Sequence, residues 1–595
     1  MKGRLAVVVA IVVVGGLVVA AYLVSRPTPE PAAPEAVGDG CLSCHGSAAD
    51  DPGGVHSAER VPCQLCHGGD PAATNVLSAH KGLELEPGAL DTVELSCGRC
   101  HERELERVRL SLMTTGRGII AVDQWAFGER AEPWGEATFA EVLAKEAPSP
   151  AEDHVRRLCG GCHLQTRRAN RDDAVVGIGS GCSACHVGSP RPDGAHPAID
   201  GIVPSERCLG CHSRSGRISL SYQGLAESSG TFLASCAEPV TLYDGRSGCR
   251  QPADVHFSAS MGCTDCHVHS ELMGDGTSHA RERQALEVRC ETCHDASPSA
   301  RESTWAEVTE PITLDLVRQR GQTRPAEERV RLGDHGTPLW NVRPSGAGWA
   351  LHRKAGGAAL PIPPTPVDLD HQRPGHERLS CASCHAALAP TCPTCHTSYK
   401  LDGSQWDFGA GAVAAGVWLE EHEGMGSAQP VLAVTPEGRI APAIPGMLGT
   451  LDARVAGGPQ LRWRLFSSFD PHTTTRAGLG CEACHRSAWA IGLGTGALDL
   501  TALPVVYAPA HPDPEDATRA VDGWVGPRQA TPGASSTPSA RSLDLAERDR
   551  VLRVGVCLGC HKAGDALWRD FASEVARWEA GEAATVGCVR AAAGE

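Results

Sequence analysis

Twelve times the chain spells Cys-x-x-Cys-His. The units are Cys41/Cys44/His45, Cys63/Cys66/His67, Cys97/Cys100/His101, Cys159/Cys162/His163, Cys182/Cys185/His186, Cys208/Cys211/His212, Cys263/Cys266/His267, Cys290/Cys293/His294, Cys381/Cys384/His385, Cys392/Cys395/His396, Cys481/Cys484/His485 and Cys557/Cys560/His561. They use all but Cys236, Cys249 and Cys588 of the 27 cysteines. Two thiols at this spacing add to the two vinyl groups of haem as thioethers, and the adjacent imidazole is the proximal ligand of the iron. Zinc takes its ligands from two Cys pairs and has no use for a His after each unit. A thioredoxin-like redox motif occurs once, beside a βαβ pattern, and a disulfide framework does not repeat one spacing twelve times. The units at 381–385 and 392–396 stand so close in sequence that their rings would nearly touch, which suits electron hopping.

What fills the second axial position separates a carrier from a catalyst. Fourteen of the 26 His lie outside the units, close to the number of empty positions. The distal candidates are His56, His80, His154, His196, His256, His269, His279, His371, His376, His472 and His511, with His335, His352 and His422 behind them. His56, His256, His154 and His376 stand five or seven residues before a unit, placed to reach a neighbouring iron. The few Met make thioether ligation a minority choice. Irons saturated by two imidazoles bind no substrate, so this supply points to electron transfer.

One insertion, residues 213–262, points the other way by concentrating Arg217, Tyr222, Tyr243, Asp244, Arg246, Asp254 and His256. Beside an open haem, Arg217, Tyr222 and Arg246 would hold an oxyanion and deliver protons; otherwise they shape the insertion and bind propionates. Cys236 and Cys249 in the same stretch pair as a disulfide in an oxidising compartment. Cys588 has no evident partner.

The elements that must position these groups are sparse. Aromatics are 4% of the chain, against 67 Gly and 42 Pro, too little large apolar surface for cores of this size, so porphyrin faces would supply the interior. The expected fold is mainly α with extensive coil and little β, wrapped around covalent haem c, twelve in all. Helices are expected over 101–113, with Leu105, Val108 and Leu112 on one stripe, and over 565–578; a short strand is expected at 217–223. Motif-free gaps span 296–380, 397–480 and 486–556, and within them residues 339–366 and 526–541 read as loop, short strand and linker.

At the N-terminus, Lys2 and Arg4 precede an uncharged run from Leu5 to Val24. Its twenty residues suit a single-pass transmembrane helix with the rest of the chain outside the cytoplasm, in preference to a cleaved signal peptide. The expected organisation is an anchor at 1–25, a Pro/Ala/Glu spacer at 26–40, an eight-haem part at 41–300, a haem-free connector at 301–380 and a four-haem part at 381–595. A net charge of −17 disfavours nucleic acid as a partner.

On its twelve units, from Cys41 to His561, the chain resembles the multihaem c-type cytochromes of bacterial anaerobic respiration and extracellular electron transfer. The resemblance implies covalent haem c, mostly bis-histidine iron and closely spaced haems. It also implies a role on the periplasmic side of the inner membrane, between a quinol-linked donor and periplasmic or outer-membrane cytochromes. The alternative is a nitrite-, hydroxylamine- or tetrathionate-type reductase with one open haem near residues 217–256. Eight units in the N-terminal part match the count of octahaem reductases. Pentahaem nitrite reductases mark their catalytic haem with Cys-x-x-Cys-Lys, which is absent here, and this weakens that alternative. A structural subunit of a larger respiratory complex is a third reading.

Overall fold

The computed structural model describes residues 40–46, 56–58, 60–168, 179–188, 196–213, 219–242, 244–294, 301–500, 505–529, 533–562, 564–571, 573 and 577. The apolar run at 5–24, the spacer before residue 40, Arg217, Tyr243 and Cys588 lie outside them. Among the described residues no helix is long and apolar enough to cross a membrane.

The chain forms two compact units. The first comprises Met1–Pro87, Glu94–Glu102 and Pro190–Ala198; the second comprises Gly88–Val93, Arg103–Ser189 and Ile199–Glu595. Among the described residues of the first, Pro62 is the only apolar residue that is buried, while Leu77, Leu85 and Leu95 are each at least 70% exposed. This unit carries three Cys-x-x-Cys-His motifs and almost no apolar interior of its own.

The second unit overturns the expectation of a mainly α body with little β, since strand makes up 22% of the structure against 30% helix. Most of the strand lies where the haem motifs thin out. Six strands, β1 (Thr394–Asp407), β2 (Ala412–Glu421), β3 (Val431–Val434), β4 (Ile440–Asp452), β5 (Gln460–Ser468) and β6 (Arg541–Ser542), form one sheet. Its order is β2-β1-β4-β3-β6, with β5 also on β4, and only the β1–β4 pairing is parallel. The signal for β5 is in the sequence: Leu461, Trp463 and Leu465 alternate with Arg462 and Arg464 at the period of a strand. Both arginines pair with the nearly buried Asp513. β3 is buried at all four positions and packs with Ile491, Leu493, Trp524 and Leu543. The motif-free gaps at 397–480 and 486–556 therefore supply a large apolar cluster.

Helices stay short. α1 (Glu102–Leu110) buries Leu105 and Val108, and Leu112 opens the next helical turn. α2 (Arg117–Ala126) buries Ile120 and Ala121. The strand expected at 217–223 is absent, because Ser219–Tyr222 forms a helical turn whose Tyr222 hydroxyl donates to the Met261 carbonyl at 2.9 Å. Four alternating residues are too few to separate the two periods. The helix expected over 565–578 begins later than expected: Ala566–Arg569 make a 3-10 turn, and among the described residues that follow, Phe571, Ser573 and Arg577 are helical.

α3 (Leu545–Cys557) shows how a motif is held. Asp544 caps it, and the Glu547 side chain closes the capping box while accepting hydrogen bonds from Arg378 and Arg541. Burial pushes the Glu547 carboxyl up, but these bonds outweigh it and hold the carboxyl at about 2. A depressed carboxylate stabilises fully above its unfolded value near 4.3 and loses that stabilisation as pH falls toward 2. Glu547→Gln is expected to cost about 1–3 kcal/mol at neutral pH and to flatten the acid side of a stability-against-pH profile measured by urea unfolding. Equal acid slopes in both proteins would exclude this carboxylate as the source.

Candidate redox centres

Eleven of the twelve motifs form a helical turn. Bonds such as His45 N–Cys41 O (2.9 Å), His101 N–Cys97 O (2.9 Å), His267 N–Cys263 O (2.9 Å) and His561 N–Cys557 O (3.0 Å) wrap five residues into one turn. Positions i, i+3 and i+4 of a helix share a face, so both thiols and the imidazole point the same way. Packing demands extend to the two intervening residues: a Cβ at Gly160, inside Cys159-Gly-Gly-Cys162, would stand 2.6 Å from the Phe408 ring. The motif at Cys392–His396 differs. Cys395 and His396 are consecutive in β1 and so face opposite sides of the sheet.

All 24 motif cysteines stand outside any disulfide and none is buried. Cys44, Cys100, Cys290, Cys381 and Cys560 are exposed. Cys44 follows the 3-10 turn Gly40–Ser43, and Cys560 lies beyond the last residue of α3, so both thiols sit where a helical segment has ended at the surface. Among the described cysteines only Cys236 and Cys249 are joined, with Cα atoms 5.9 Å apart.

Seven motif imidazoles face a second imidazole. The pairs and their centroid separations are His45–His80 (6.0 Å), His101–His56 (6.2 Å), His67–His196 (6.1 Å), His294–His256 (6.1 Å), His267–His472 (6.1 Å), His385–His371 (6.2 Å) and His485–His376 (5.9 Å). A metal–nitrogen bond of about 2.0–2.1 Å, with roughly another 1.1 Å from nitrogen to ring centre on each side, puts two axial imidazoles about 6.3 Å apart. The observed separations fit an iron between the rings. The first three pairs lie wholly within the first compact unit and the other four within the second.

The second ring nitrogens agree with this fit. His67 Nδ1 donates to Glu84 O (2.8 Å) and His196 Nδ1 to Pro197 O (2.7 Å). His294 Nδ1 donates to Pro363 O (2.8 Å), and His256 Nδ1 to the Asp254 carboxylate (2.9 Å). His385 Nδ1 donates to Thr475 O (2.9 Å), and His371 Nδ1 to the Asp368 carboxylate (2.7 Å). His267 Nδ1 donates to the Glu271 carboxylate (2.7 Å), and His472 Nδ1 to Asp470 O (3.2 Å). A bonded Nδ1 fixes the tautomer and leaves Nε2 as the ligand atom, as in metal-bound histidines generally. Burial, then the charge of His267, pushes His472 down to about 4, keeping it in the neutral form that binds metal.

Thiols of different motifs also meet. In the second compact unit Cys162 adjoins Cys211, Cys208 adjoins Cys263 and Cys290 adjoins Cys381, while the charge of Cys293 raises the Cys266 thiol and that of Cys481 raises the Cys384 thiol. The attachment points thus run in series from Cys159 to His485, with the Cys290 and Cys381 sulfurs within 4.8 Å. In the first compact unit Cys66 adjoins Cys97 and Cys100.

Four other distal candidates stand elsewhere. His154 is buried between Phe127 and Trp418, with Nδ1 on Asp123 at 3.0 Å. His269 pairs with Glu310 at 3.1 Å, His279 faces His335, and His511 is exposed. Of the motif imidazoles without a facing His, His163 stacks on Phe139 at 4.2 Å and is pushed down to about 4 by burial. His396 bonds Thr450 at 2.5 Å, His186 bonds Asp200 O at 2.9 Å, and His561 lies 6.4 Å from Trp568.

The described polar groups of the insertion at 213–262 fall into two sets, Asp254 with His256 and the Tyr222 carbonyl, and Arg246 with Asp244. Arg246 is held by Glu227 (2.5 Å), Asp244 (2.8 Å) and Ser213 O (2.7 Å). Asp254 caps a helical turn and accepts from Thr474 N at 2.6 Å. The Nδ1 acceptors were the part of the site that residue counting missed. Where the acceptor is a side chain of the distal segment, its signal is an Asp two or three positions before the His, at Asp254–His256 and Asp368–His371. No family model, curated protein or solved structure matches the chain.

Proposed function

We propose that the chain is a multihaem c-type cytochrome that carries electrons through a series of mostly bis-histidine haems. It would work on the periplasmic side of the bacterial inner membrane, between a quinol-linked donor and periplasmic or outer-membrane cytochromes. The carrying observation is the seven motif imidazoles that each oppose a second imidazole at the separation of two axial ligands. Haem c bound there would supply a one-electron couple that needs no open coordination position.

The protein's own share is to hold each ring pair. Turns gather two thiols and one imidazole on a face, and Nδ1 acceptors fix the ring planes and the tautomer. Carboxylates on His267, His256 and His371 make those ligands more basic, which favours the oxidised iron and lowers the potential at three successive sites. The first compact unit has three ring pairs and, among its described residues, only Pro62 as a buried apolar side chain. Porphyrin faces would give it the apolar interior that its side chains do not. The same faces would cover the exposed thiols of Cys44 and Cys560 once these carried thioethers.

The test is to produce the full chain in a host that matures c-type cytochromes, then measure its mass and its electron paramagnetic resonance. Twelve covalent haems, with at least seven low-spin irons, are expected. The twelfth requires Thr394–His396 to leave the end of β1 and form a turn, so eleven would locate the exception at Cys392–His396. An unmodified polypeptide would end the proposal. A high-spin signal that changes with nitrite, hydroxylamine or tetrathionate would replace the carrier by the reductase.

A further inference from the structure

His279 and His335 belong to no Cys-x-x-Cys-His motif, yet their rings face each other with centroids 6.3 Å apart, tilted by 37°. That separation matches the seven motif pairs and the span of two imidazoles across one metal. Neither ring follows a Cys-x-x-Cys pair: His279 lies between the motifs Cys263–His267 and Cys290–His294, and His335 between Cys290–His294 and Cys381–His385.

Both rings are mounted on built supports. The Glu287 carboxylate is 1% exposed. It accepts from Ser270 Oγ (3.0 Å), from Thr337 Oγ1, and from the backbone N–H of His335 (2.8 Å). A buried charge spent entirely on local donors holds the turn under His335 in one conformation. On the other side Arg117 donates to both Ser278 O (3.0 Å) and Ser278 Oγ (2.8 Å), pinning the segment before His279. His279 Nε2 donates to the Asp275 carboxylate at 2.9 Å, which leaves Nδ1 with its lone pair. A carboxylate on one ring nitrogen and a lone pair on the other is the arrangement of an oriented metal ligand.

We propose that His279 and His335 form a bis-imidazole metal centre additional to the twelve motif sites. It would take either a divalent d-block ion, the class that imidazole suits, or the iron of a haem held without thioethers. The proposal shares with the preceding section the reading of the ring separation, but it is counted separately from the covalent haems.

The experiment uses the full haem-loaded chain, dialysed against zinc sulfate and then against metal-free buffer. Covalent haem is counted by mass, total metals by plasma mass spectrometry, and non-covalent haem by acid–acetone extraction. One metal equivalent beyond the covalent haems is expected. An extractable haem identifies it as haem iron; zinc or another metal without extractable haem identifies an ion. The double variant His279→Ala/His335→Ala should lose that equivalent and keep every covalent haem. Metal equal to covalent haem in the wild-type chain overturns the proposal without recourse to any variant. So does a double variant in which a covalent haem turns from low-spin to high-spin, because the two rings would then serve motif irons.

Discussion

Replacing His472 with methionine is expected to raise the midpoint potential of the haem site at Cys263–His267 by on the order of 0.1–0.3 V, a fraction of the ~0.8 V that axial ligands span. His472 sits 6.1 Å from His267, buried, with Nδ1 on the Asp470 carbonyl. Opposite it, His267 is made more basic by the Glu271 carboxylate. Two such ligands favour oxidised iron, whereas a thioether donates less charge and favours reduced iron. Potentiometric titration followed by visible absorbance would show one haem leaving the low-potential group. His472→Ala should instead convert that haem from low-spin to high-spin. If neither variant alters the titration or the low-spin content, His472 is not the ligand and the facing-imidazole argument fails at this pair.

Arg156→Ala should destabilise the second compact unit by about 3–5 kcal/mol, the cost of leaving a buried charge without its partner. Arg156 and Asp407 are 5% and 6% exposed and make two parallel bonds of 2.9 Å each. Arg156 also donates to Lys145 O at 2.8 Å, and Asp407 accepts from Gly409 N at 2.8 Å. The pair ties the start of the Cys159 turn to the end of β1. Urea unfolding should show a lower midpoint with an unchanged slope. The double variant Arg156→Met/Asp407→Leu removes both charges and should recover most of the loss, because an apolar pair of similar volume replaces a costly ion pair. A single variant within about 1 kcal/mol of wild type would mean that water reaches the pair and screens it.

The sequence alone determined which residues of each Cys-x-x-Cys-His motif share a face, because that geometry is local. Cys, Cys and His at i, i+3 and i+4 share one helical face wherever the backbone closes a turn, and eleven motifs do so. It also determined that imidazoles were in supply and that Cys236 and Cys249 lay close enough along the chain to be joined.

What the sequence did not determine was which imidazole faces which. His371 and His385 come from adjacent segments, but His267 meets His472 from the far side of the sheet region, and no local pattern encodes that encounter. Nor did twelve identical spacings reveal which thiols would stand at the surface, as Cys44, Cys100, Cys290, Cys381 and Cys560 do, because exposure depends on what the rest of the chain lays over each turn. The sheet itself was misjudged for a related reason. β3 is a run of four apolar residues, too short to signal its type, and its strand character comes from pairing with β4 and β6. The alternation in β5 was legible, but the alternating arginines acquire their role only when Asp513 arrives beside them. Hydrogen bonds between neighbours in the chain are dictated by residue type and spacing. Contacts between distant segments depend on packing that the whole chain settles together, so only the tertiary structure decided them.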